Sequence, residues 1–536
     1  MDNVYVRASE LANSGHYEAS WKIVGPLLNE NPLDPQALVT GSFVLLKMGA
    51  LPQAYHFARS ATQIVPNEEA AWTNLGHAAS QLWLGGEADR CYRRALQLCT
   101  SSEHRQTLWL NMAALAIDSG DFEKAESLNK KLLEINPTHK KALANMGFLA
   151  LAQRRWEEGW KGYRHTIGSD FRQRIRYGDE PEWDGTPGKT VALYAEQGLG
   201  DEISFASMLP DAARVCKKLI LDCDARLEGL FKRSFPEVKV YGTRYAKAGK
   251  WAKEDWEIDA SLPMGQVGEY FRNSAESFPG TPYLVPCPVR LEQWRAIFEK
   301  KDKPAIGVAW TGGVGVPKSN ERNRRVSLNE LLPIFRSVDA QWVSLQYKDA
   351  KEDIAKFRME HPEIDLVQYP WATLTQDYDD TAALISALDY VVCIQTAVAH
   401  TSGALGVPVM VFVPVASQWR YGTAKDSIPW YSYLKVVRQA KHGSWTDEIE
   451  RGAAELAAHF RKRATEEYRE SREMEQGECK APSRHLTEEC TEKIPGRSRE
   501  GSDEVVPSIQ TAKGHKSAQN TFNGGAETCQ KIRSTV

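Results

Sequence analysis

Two polar turns carry the residues of this chain that are best suited to chemistry on a bound ligand. The first, residues 196–201, reads Glu-Gln-Gly-Leu-Gly-Asp and ends on Asp201. The second, residues 395–400, reads Gln-Thr-Ala-Val-Ala-His and ends on His400. Each turn follows an apolar run typical of a buried strand and precedes a helical segment. In open α/β folds this arrangement puts polar groups at the mouth of the sheet, where such folds bind their ligands.

The first turn predicts a site for an anion or a polar sugar. Gly198 and Gly200 allow a sharp turn and expose amide N–H groups at the start of a helix predicted at 202–215. We therefore assign Gln197, Gly198 and Gly200 to an acceptor-side loop. Asp201 has two compatible interpretations, a helix N-cap and a catalytic base. The turn lacks the third glycine of a dinucleotide fingerprint, which argues against a dehydrogenase.

A basic cluster follows the apolar run 305–310. It contains a hydroxyl and glycines and then several cations: Thr311, Gly312, Gly313, Lys318, Arg322, Arg324 and Arg325. Guanidinium groups at the end of a strand can grip a diphosphate through paired hydrogen bonds. The alternative is a solvated loop with surface arginines.

The second turn predicts another anion site. The Thr396 hydroxyl and the N–H groups of Thr396, Ala397 and Val398 would lie at a helix N-terminus. His400, one turn further on, would donate to a phosphate or ribose, or would be a structural histidine. Gln395 begins the motif, and Gln346 ends the strand predicted at 342–346, where it would face the cleft.

Residues 1–165 repeat with a period of about 34 residues. The recurring positions are Gly15, Tyr17, Leu27, Pro32, Gly49, Pro66, Trp72, Gly76, Ala88, Tyr92, Trp109, Gly120, Phe122, Pro137, Gly147, Trp156 and Tyr163. Small residues at helix contacts, aromatic fillers and helix-stopping prolines resemble the tetratricopeptide repeat, a helix–turn–helix solenoid. Its concave face would bind a peptide segment, or the solenoid would be a spacer or a self-association surface.

The remaining sequence predicts a linker, two α/β lobes and a tail. Glycines and prolines interrupt residues 166–189, which we interpret as a hinge. Strand-like runs then alternate with helical segments in a first lobe, 190–300, and a second lobe, 301–463. These strands are predicted at 190–195, 219–223, 238–241, 305–310, 342–346, 366–369, 390–394 and 409–413, with a final helix near 446–462. Residues 464–536 have the composition of a disordered tail.

Five motifs in order resemble the family 9 glycosyltransferases, which include the lipopolysaccharide heptosyltransferases. They occupy residues 198–201, 307–312, 343–346, 380–389 and 396–400, within a region of similarity at about 190–445. The resemblance implies a GT-B fold, a nucleotide-sugar donor in the second lobe, an acceptor against the first lobe and no catalytic metal or other cofactor. It also implies that Asp201 is the base, that the Thr311 loop binds phosphate and that Thr396, Ala397 and His400 bind the donor.

These features predict a metal-independent inverting glycosyltransferase acting on a glycan or protein acceptor. The family motif usually begins with an acidic residue, where this chain has Gln395. That departure leaves an alternative, a catalytically impaired transferase-like protein that acts as a repeat-based scaffold. A nucleotide-sugar epimerase would not need two lobes and a repeat arm. The Asp-x-Asp sequence at 377–379 resembles a manganese motif, but we expect Asp379 or Asp380 to cap the following helix.

Bulk composition narrows the partners and the compartment. The formal net charge is −3 and 26% of residues are charged, so nothing predicts a nucleic-acid or anionic-membrane partner. No apolar run approaches the roughly 20 residues of a transmembrane helix, and the first residues do not resemble a signal peptide. We therefore expect a cytoplasmic protein whose nine cysteines are free, mostly buried thiols.

Overall fold

The computed structural model describes residues 4–169, 172–244, 251–254, 257–300, 302–312, 325–423 and 426–478. Its N-terminal part is a helical repeat solenoid, which confirms this part of the prediction. Five antiparallel helix pairs are described there: Val4–Asn13 with Tyr17–Glu30, Pro35–Lys47 with Leu51–Ile64, Glu69–Gln81 with Gly85–Leu98, Ser102–Asp118 with Phe122–Ile135, and Lys140–Ala152 with Trp156–Tyr163.

The small residues of the repeat allow the paired helices to approach closely. A Cβ atom on Gly147 would lie 2.4 Å from the Gly162 carbonyl carbon, so the last two helices touch through their backbones. The turn inside several pairs needs a positive φ, which Gly15, Gly49 and Gly120 supply at 77–82°. In the third and fifth pairs, Trp83 and Arg154 adopt φ of 63° at the equivalent position, which costs roughly 1 kcal/mol or more for a residue with a Cβ.

Trp83 and Arg154 both contact residues of the second of the two α/β lobes, which are described below. The ring of Trp83 lies 5.3 Å from the His442 ring, and Arg154 donates to the Ser427 carbonyl at 2.8 Å. The His442 ring nitrogen Nε2 lies 2.6 Å from the carbonyl oxygen of Asp118 in the fourth pair. The third to fifth pairs therefore dock on this region through their turns, and these contacts offset the backbone strain.

Two parallel sheets follow the solenoid. The first contains β1 (Thr190–Tyr194), β2 (Lys218–Asp222), β3 (Lys239–Tyr241) and β4 (Ala260–Pro263) in the order β3-β2-β1-β4. The second contains β5 (Ala305–Ala309), β6 (Gln341–Ser344), β7 (Leu366–Gln368), β8 (Tyr390–Ile394), β9 (Val409–Val413) and β10 (Leu434–Arg438) in the order β10-β9-β8-β5-β6-β7. We call each sheet with its helices the first and the second lobe. Paired parallel sheets agree with the predicted α/β class, whereas the finer GT-B assignment remains a prediction.

Helices connect the strands in both lobes. In the first lobe they are Leu199–Ala206, Leu209–Val215, Glu228–Ser234, Trp251–Glu254, Gly268–Phe271 and Pro288–Phe298. In the second lobe they are Leu332–Ser337, Lys351–Glu360, Pro370–Thr373, Tyr378–Ser386, Ala397–Leu405 and Thr446–Glu478. Single 3₁₀ turns lie at Arg164–Thr166, Ala225–Leu227, Met264–Val267, Ala275–Ser277 and Trp419–Tyr421. Among the residues described, no helix is both long and apolar enough to cross a membrane.

The helix predicted at 202–215 is two helices, because Ser207 and Met208 interrupt it ahead of Pro210. The final helix is longer than predicted and continues to Glu478, into the segment expected to be disordered. Residues 464–478 are rich in Glu and Arg, which are strong helix formers, so composition misled the prediction here. Residues 479–536 lie outside the described part of the chain.

The predicted hinge at 166–189 packs into the first lobe where it is described. The Arg172 side chain is fully buried and pairs with Glu196 through two hydrogen bonds of 2.6 and 2.9 Å. Trp183 is also fully buried. Trp160 and Tyr163, from the last solenoid helix, belong to the same apolar core as β1 and β4. The end of the solenoid is thus built into the first lobe, while the boundary at 166–189 remains a prediction.

Candidate functional site

Both polar turns lie at points where the strand order of a sheet reverses. The 196–201 turn follows β1, which pairs with β2 on one side and β4 on the other. The Thr311 loop follows β5, and the 395–400 turn follows β8, its neighbour across the reversal in the second sheet. Ligands of open α/β sheets bind in the crevice that opens at such a point. The topology therefore gathers the predicted residues at these crevices.

The first turn positions Asp201 in the opening turn of the helix Leu199–Ala206. The N-cap is Gly198, and the Asp201 Oδ2 atom accepts the Gly198 N–H at 2.9 Å. The carboxylate thus stabilises the helix start, as the cap interpretation predicted, from the third helical position. Its side chain is 13% exposed, and this leaves the base interpretation open.

The starts of two helices meet between the lobes. A Cβ on Gly200 would lie 3.0 Å from the Ala397 Cα and 3.2 Å from the His400 ring. Gly200 is therefore needed for a close approach of the two helices, beyond the sharp turn that the sequence predicted. This contact places Asp201 beside the N-terminus of the helix Ala397–Leu405.

Arg420 joins the two lobes at this contact. One of its terminal nitrogens, Nη2, donates to Asp201 Oδ1, although 219 positions separate the two residues. The guanidinium carbon lies 5.2 Å from the Phe205 ring centroid and 5.1 Å from that of Trp419. The Arg420 side chain is only 3% exposed. Sequence reasoning did not assign Arg420 to the site, and its place directly after β9, at the carboxyl edge of the second sheet, was the available signal.

Gln395 binds a backbone group instead of facing open space. It is buried, and its side-chain oxygen accepts the Gln418 N–H at 3.3 Å. Gln395 thereby holds the 3₁₀ turn Trp419–Tyr421 that carries Arg420. An uncharged amide is adequate for this task.

Thr396 takes the N-cap position of the helix that continues through Ala397 and Val398. Its side chain makes no capping hydrogen bond, contrary to the prediction, and its buried Oγ1 atom has no hydrogen-bond partner within the part of the chain that the structure describes. Its extended backbone, with φ −141° and ψ 176°, is typical of an N-cap. The hydroxyl is therefore available to another group.

The Thr311 loop packs against the second turn. A Cβ on Gly312 would lie 2.6 Å from the Thr396 Cγ2 atom, so only glycine fits there. Gln346 is buried, accepts the N–H groups of Trp310 and Thr311 at 3.0 and 3.2 Å, and donates to the Thr311 hydroxyl. It anchors the loop, whereas the sequence had predicted that it faces a cleft.

The base of this loop is closed by an antiparallel bridge between Thr311 and Arg325. Arg325 is exposed at that point. Gly313, Lys318, Arg322 and Arg324, the other predicted phosphate-binding residues, lie outside the described residues.

His400 is buried, which favours the structural one of its two predicted roles over donation to a phosphate or ribose. Its Nδ1 and Nε2 atoms lie 3.3 and 3.4 Å from the hydroxyls of Tyr431 and Tyr421. Burial, assisted by the nearby Arg420 charge, lowers the pKa of His400 well below its usual 6.5. The ring is neutral near pH 7 and links the helix Ala397–Leu405 to the turn that carries Arg420.

We predict that His400 makes stability depend on pH. Below about pH 6.5 the unfolded chain binds a proton that the native His400 does not, so stability falls with pH, by up to about 1.4 kcal/mol per unit. His400→Gln should remove this component. The difference in unfolding free energy between variant and wild type, from denaturant titrations at pH 5 to 8, should grow in favour of the variant below pH 6.5. His16→Gln, which replaces an exposed histidine of the solenoid, is the control. A pH-independent difference for His400→Gln would contradict the assignment.

The unfolding free energy of the wild type is subtracted from that of the variant because Glu202 changes the stability of the fold with pH in the opposite direction to His400. Burial raises the pKa of Glu202 to about 7, against the effect of Arg244, which pairs with it. Between about pH 4.5 and 7 the native Glu202 therefore binds more protons than the unfolded chain, and it stabilises the fold as pH falls. Subtracting wild type from the His400 variant cancels this contribution.

Gln197 is strained and held from two sides. Its φ of 63° is in the left-handed region, which a side chain disfavours. Its side-chain nitrogen Nε2 donates to the Tyr163 hydroxyl, and its main-chain carbonyl accepts from Arg244. Tyr163 belongs to the last solenoid helix, so the predicted acceptor-side loop depends directly on the solenoid.

The Asp-x-Asp sequence is occupied by helix capping and ion pairs. Asp377, not Asp379 or Asp380 as predicted, is the N-cap, and its Oδ1 accepts the Asp379 N–H at 3.1 Å. Arg290 pairs with Asp377 and Asp380, and Arg233 pairs with Asp379. Among the described residues no cluster of His, Cys, Asp and Glu is arranged to hold a metal ion.

Comparison with known proteins gives one extended likeness. No family model matches the chain. Protein FlbA of Caulobacter vibrioides is 29% identical over 425 residues, which is 75% of this chain and 70% of FlbA. This similarity covers more of the chain than either the solenoid or the two lobes could supply alone, so at least part of the solenoid and part of the lobes occur together in another protein.

Several solved structures of TPR proteins resemble about a third of this chain. A thermophilic TPR protein of Thermus thermophilus is 21% identical and covers 30% of this chain and 87% of its own, with a TM-score of 0.27. PilF of Pseudomonas aeruginosa is 16% identical and covers 30% and 72%, with a TM-score of 0.28. Because these TM-scores are low, the solenoid assignment rests on the five helix pairs themselves.

Proposed function

We propose that this chain is an inverting glycosyltransferase that uses a nucleotide-sugar donor. The observation that carries the proposal is the close approach of Gly200, the residue before Asp201, to Ala397 and His400 in the helix Ala397–Leu405; the two turns lie at the strand-order reversals of two separate parallel sheets. A carboxylate from one lobe and a helix N-terminus from the other are the two groups that such a reaction needs side by side. The ordered motifs shared with family 9 glycosyltransferases support the same reaction class.

In the proposed reaction the acceptor lies against the first lobe and the donor against the second. Asp201 takes the proton of the acceptor hydroxyl while that oxygen bonds to the anomeric carbon. The bond from the anomeric carbon to the diphosphate oxygen breaks, and the electron pair leaves with the nucleoside diphosphate. The N-terminus of the helix Ala397–Leu405 and the loop after Thr311 stabilise the charge that develops on it. Metal independence belongs to this proposal through the family resemblance.

A catalytically impaired scaffold is the second candidate. It is favoured by the ion pair that occupies Asp201 Oδ1 and by Gln395 in place of the family's acidic residue. However, Gln395 is engaged by the Gln418 N–H, which an amide oxygen accepts without any charge. We therefore give Gln395 a positioning role and prefer the enzyme.

The experiment that separates these candidates begins with the donor. Thermal unfolding of the full chain is measured with a panel of UDP-, GDP-, ADP- and CDP-sugars, and co-purifying nucleotides are identified by mass spectrometry. The stabilising donor is then incubated with cell extract, and the nucleoside diphosphate released and the sugar transferred are quantified. Stabilisation with transfer supports the enzyme. Stabilisation without release or transfer favours the scaffold, and no stabilisation by any donor contradicts both nucleotide-sugar proposals.

We also propose that the solenoid binds a protein acceptor or its carrier. A concave array of helix pairs presents many side chains to an extended peptide. The simplest test, deletion of 1–165, is unsuitable because Trp160 and Tyr163 lie in the core of the first lobe. Residues 1–66 cover the first two pairs, and their deletion leaves the docked pairs in place.

Deletion of residues 1–66 is therefore expected to preserve donor hydrolysis on water and to reduce modification of the macromolecular acceptor by about tenfold or more, the loss of roughly 1.4 kcal/mol of binding. Both activities are measured with the same labelled donor. A variant lacking 479–536, a deletion of similar length, is expected to keep both. Equal acceptor modification by the 1–66 deletion and the full chain would make the outer repeats a spacer.

A further inference from the structure

Arg420 is buried, and the described part of the chain uses little of its hydrogen-bonding capacity. Only 3% of its side chain is exposed, yet its Nε and Nη1 atoms have no hydrogen-bond partner among the described residues. A guanidinium presents five N–H donors, and burying such donors without partners destabilises the fold. The Asp201 ion pair satisfies Nη2 alone, with a weak second contact of 3.4 Å to Gln418. The remaining N–H donors of Arg420 can be satisfied by an acceptor that has more oxygen atoms than one carboxylate.

The surroundings of Arg420 suit an anion with several oxygens. Thr396, the N-cap of the adjoining helix, has a buried hydroxyl that no other described residue hydrogen-bonds. The helix Ala397–Leu405 provides the N-terminal end of a dipole. The rings of Phe205 and Trp419 both lie near the guanidinium, with centroids 5.2 and 5.1 Å from its carbon. A diphosphate would satisfy the unused donors of Arg420 and the Thr396 hydroxyl together.

The turn that carries Arg420 is held from the second lobe. Gln395 accepts the Gln418 N–H, and His400 lies within hydrogen-bond distance of the Tyr421 hydroxyl. Arg438 donates from Nη2 to the carbonyls of Tyr421 and Gly422, both at 2.9 Å. The backbone at Arg420 is therefore fixed to the donor side, while its Nη2 atom reaches the acceptor side. Any exchange of its hydrogen bonds between the two lobes therefore falls to the side chain.

We propose that Arg420 is shared between Asp201 and the donor diphosphate. Before the nucleotide binds, Arg420 pairs with Asp201 and occupies the base. When a diphosphate enters, Arg420 turns its donors to the phosphate oxygens and releases Asp201. Donor binding thus readies the base for the acceptor. This inference rests on the proposed transferase function and adds a link between its two half-sites.

No proton is lost from Arg420 in this reaction. Arg420 stays protonated throughout and only exchanges hydrogen-bond acceptors. Asp201 gains the acceptor proton as the new bond to the anomeric carbon forms, and the diphosphate takes the electron pair of the bond that breaks. The positive charge of Arg420 then lies beside the diphosphate, where negative charge accumulates.

Competition between Asp201 and the diphosphate for Arg420 would have a measurable effect on binding that a purely structural arginine would not have. Because Asp201 and the diphosphate use the same guanidinium, removing the Asp201 charge should tighten diphosphate binding. We expect about a 3- to 10-fold gain for Asp201→Asn, as for other coupled charges within reach of each other. Arg420→Gln should weaken binding about 10- to 100-fold, since charge-assisted hydrogen bonds are lost. In the double variant the gain from Asp201→Asn should disappear.

The test is calorimetric titration of the full chain with UDP, GDP, ADP, CDP and inorganic pyrophosphate. Wild type, Asp201→Asn, Arg420→Gln, Arg420→Lys and the double variant are compared. Lysine keeps the charge without the fork geometry and should give an intermediate affinity. Arg290→Gln removes an arginine that pairs with Asp377 and Asp380 away from the site, and it should bind as wild type does. Thermal unfolding of each variant identifies any that fail to fold.

Each outcome is decisive. Tighter binding in Asp201→Asn that vanishes without Arg420 supports the shared arginine. If Asp201→Asn, or a folded Arg420→Gln variant, binds diphosphates as tightly as the wild type does, the shared arginine is overturned. The transferase proposal is left standing by that result. No binding of any probe by the wild type overturns both. If Arg420→Gln does not fold, the Asp201→Asn and Arg420→Lys titrations still decide.

Discussion

Asp201→Asn is expected to reduce sugar transfer by about 10²- to 10⁴-fold, the usual contribution of a positioned general base. Asparagine keeps the size of the side chain, and its oxygen can still accept the Gly198 N–H that caps the helix. What it loses is the ability to take a proton from the acceptor hydroxyl. The rate is measured as release of nucleoside diphosphate from the donor selected by thermal stabilisation.

Asp339→Asn is the matched control for this variant. Asp339 is 81% exposed and pairs with Lys303 at the surface, so its replacement should leave transfer unchanged. Because nucleotide binding by Asp201→Asn is expected to persist, a loss of transfer alone would be chemical in origin. A rate within a factor of two or three of wild type would remove Asp201 from the role of base.

Trp160→Ala is expected to destabilise the protein by about 3–5 kcal/mol, the range for large aromatic truncations in a core. Trp160 is fully buried, and its indole N–H donates to the Arg272 carbonyl at 2.8 Å. Its ring lies 5.5 Å from that of Trp419, beside Arg420. A Cβ on Gly268 would lie 2.3 Å from the Trp160 ring, which shows how tightly the first lobe closes on it. Unfolding free energies come from urea titrations.

Trp72→Ala gives the comparison inside the solenoid. Trp72 is half-buried, and its indole N–H donates to the Pro66 carbonyl at 2.9 Å. A smaller loss is expected there because less of the ring is buried. Equal losses for the two variants, or a small loss for Trp160→Ala, would contradict the view that the last solenoid helix is part of the first lobe.

The sequence was sufficient to predict most of the fold. Eight apolar runs were predicted as strands, and each is a strand within one or two residues of its predicted ends. β4 and β10 were missed for physical reasons. β4 contains Ser261 and ends on Pro263, while β10 carries the cations Lys435 and Arg438. Strands that contain polar, proline or charged residues such as these do not stand out from loops in hydrophobic pattern.

The candidate site was predictable in position but not in contacts. Strand–turn–helix patterns indicate which residues lie at the carboxyl ends of strands, and the turns are found there. They do not indicate that Gly200 meets Ala397 or that Arg420 meets Asp201, because such pairs depend on how two lobes pack. His400 lies in the predicted turn, yet the Tyr421 and Tyr431 hydroxyls give it a structural role. The buried polar network is a property of the tertiary structure.

The most direct test of the central claim is transfer of a labelled sugar from the stabilising nucleotide-sugar to a macromolecule in extract of cells that lack this protein. The proposal predicts label incorporation in step with release of nucleoside diphosphate for the wild type, and neither above background for Asp201→Asn. Wild-type protein that binds the nucleotide-sugar but transfers no label, or an Asp201→Asn variant that transfers it at the wild-type rate, would contradict the proposal.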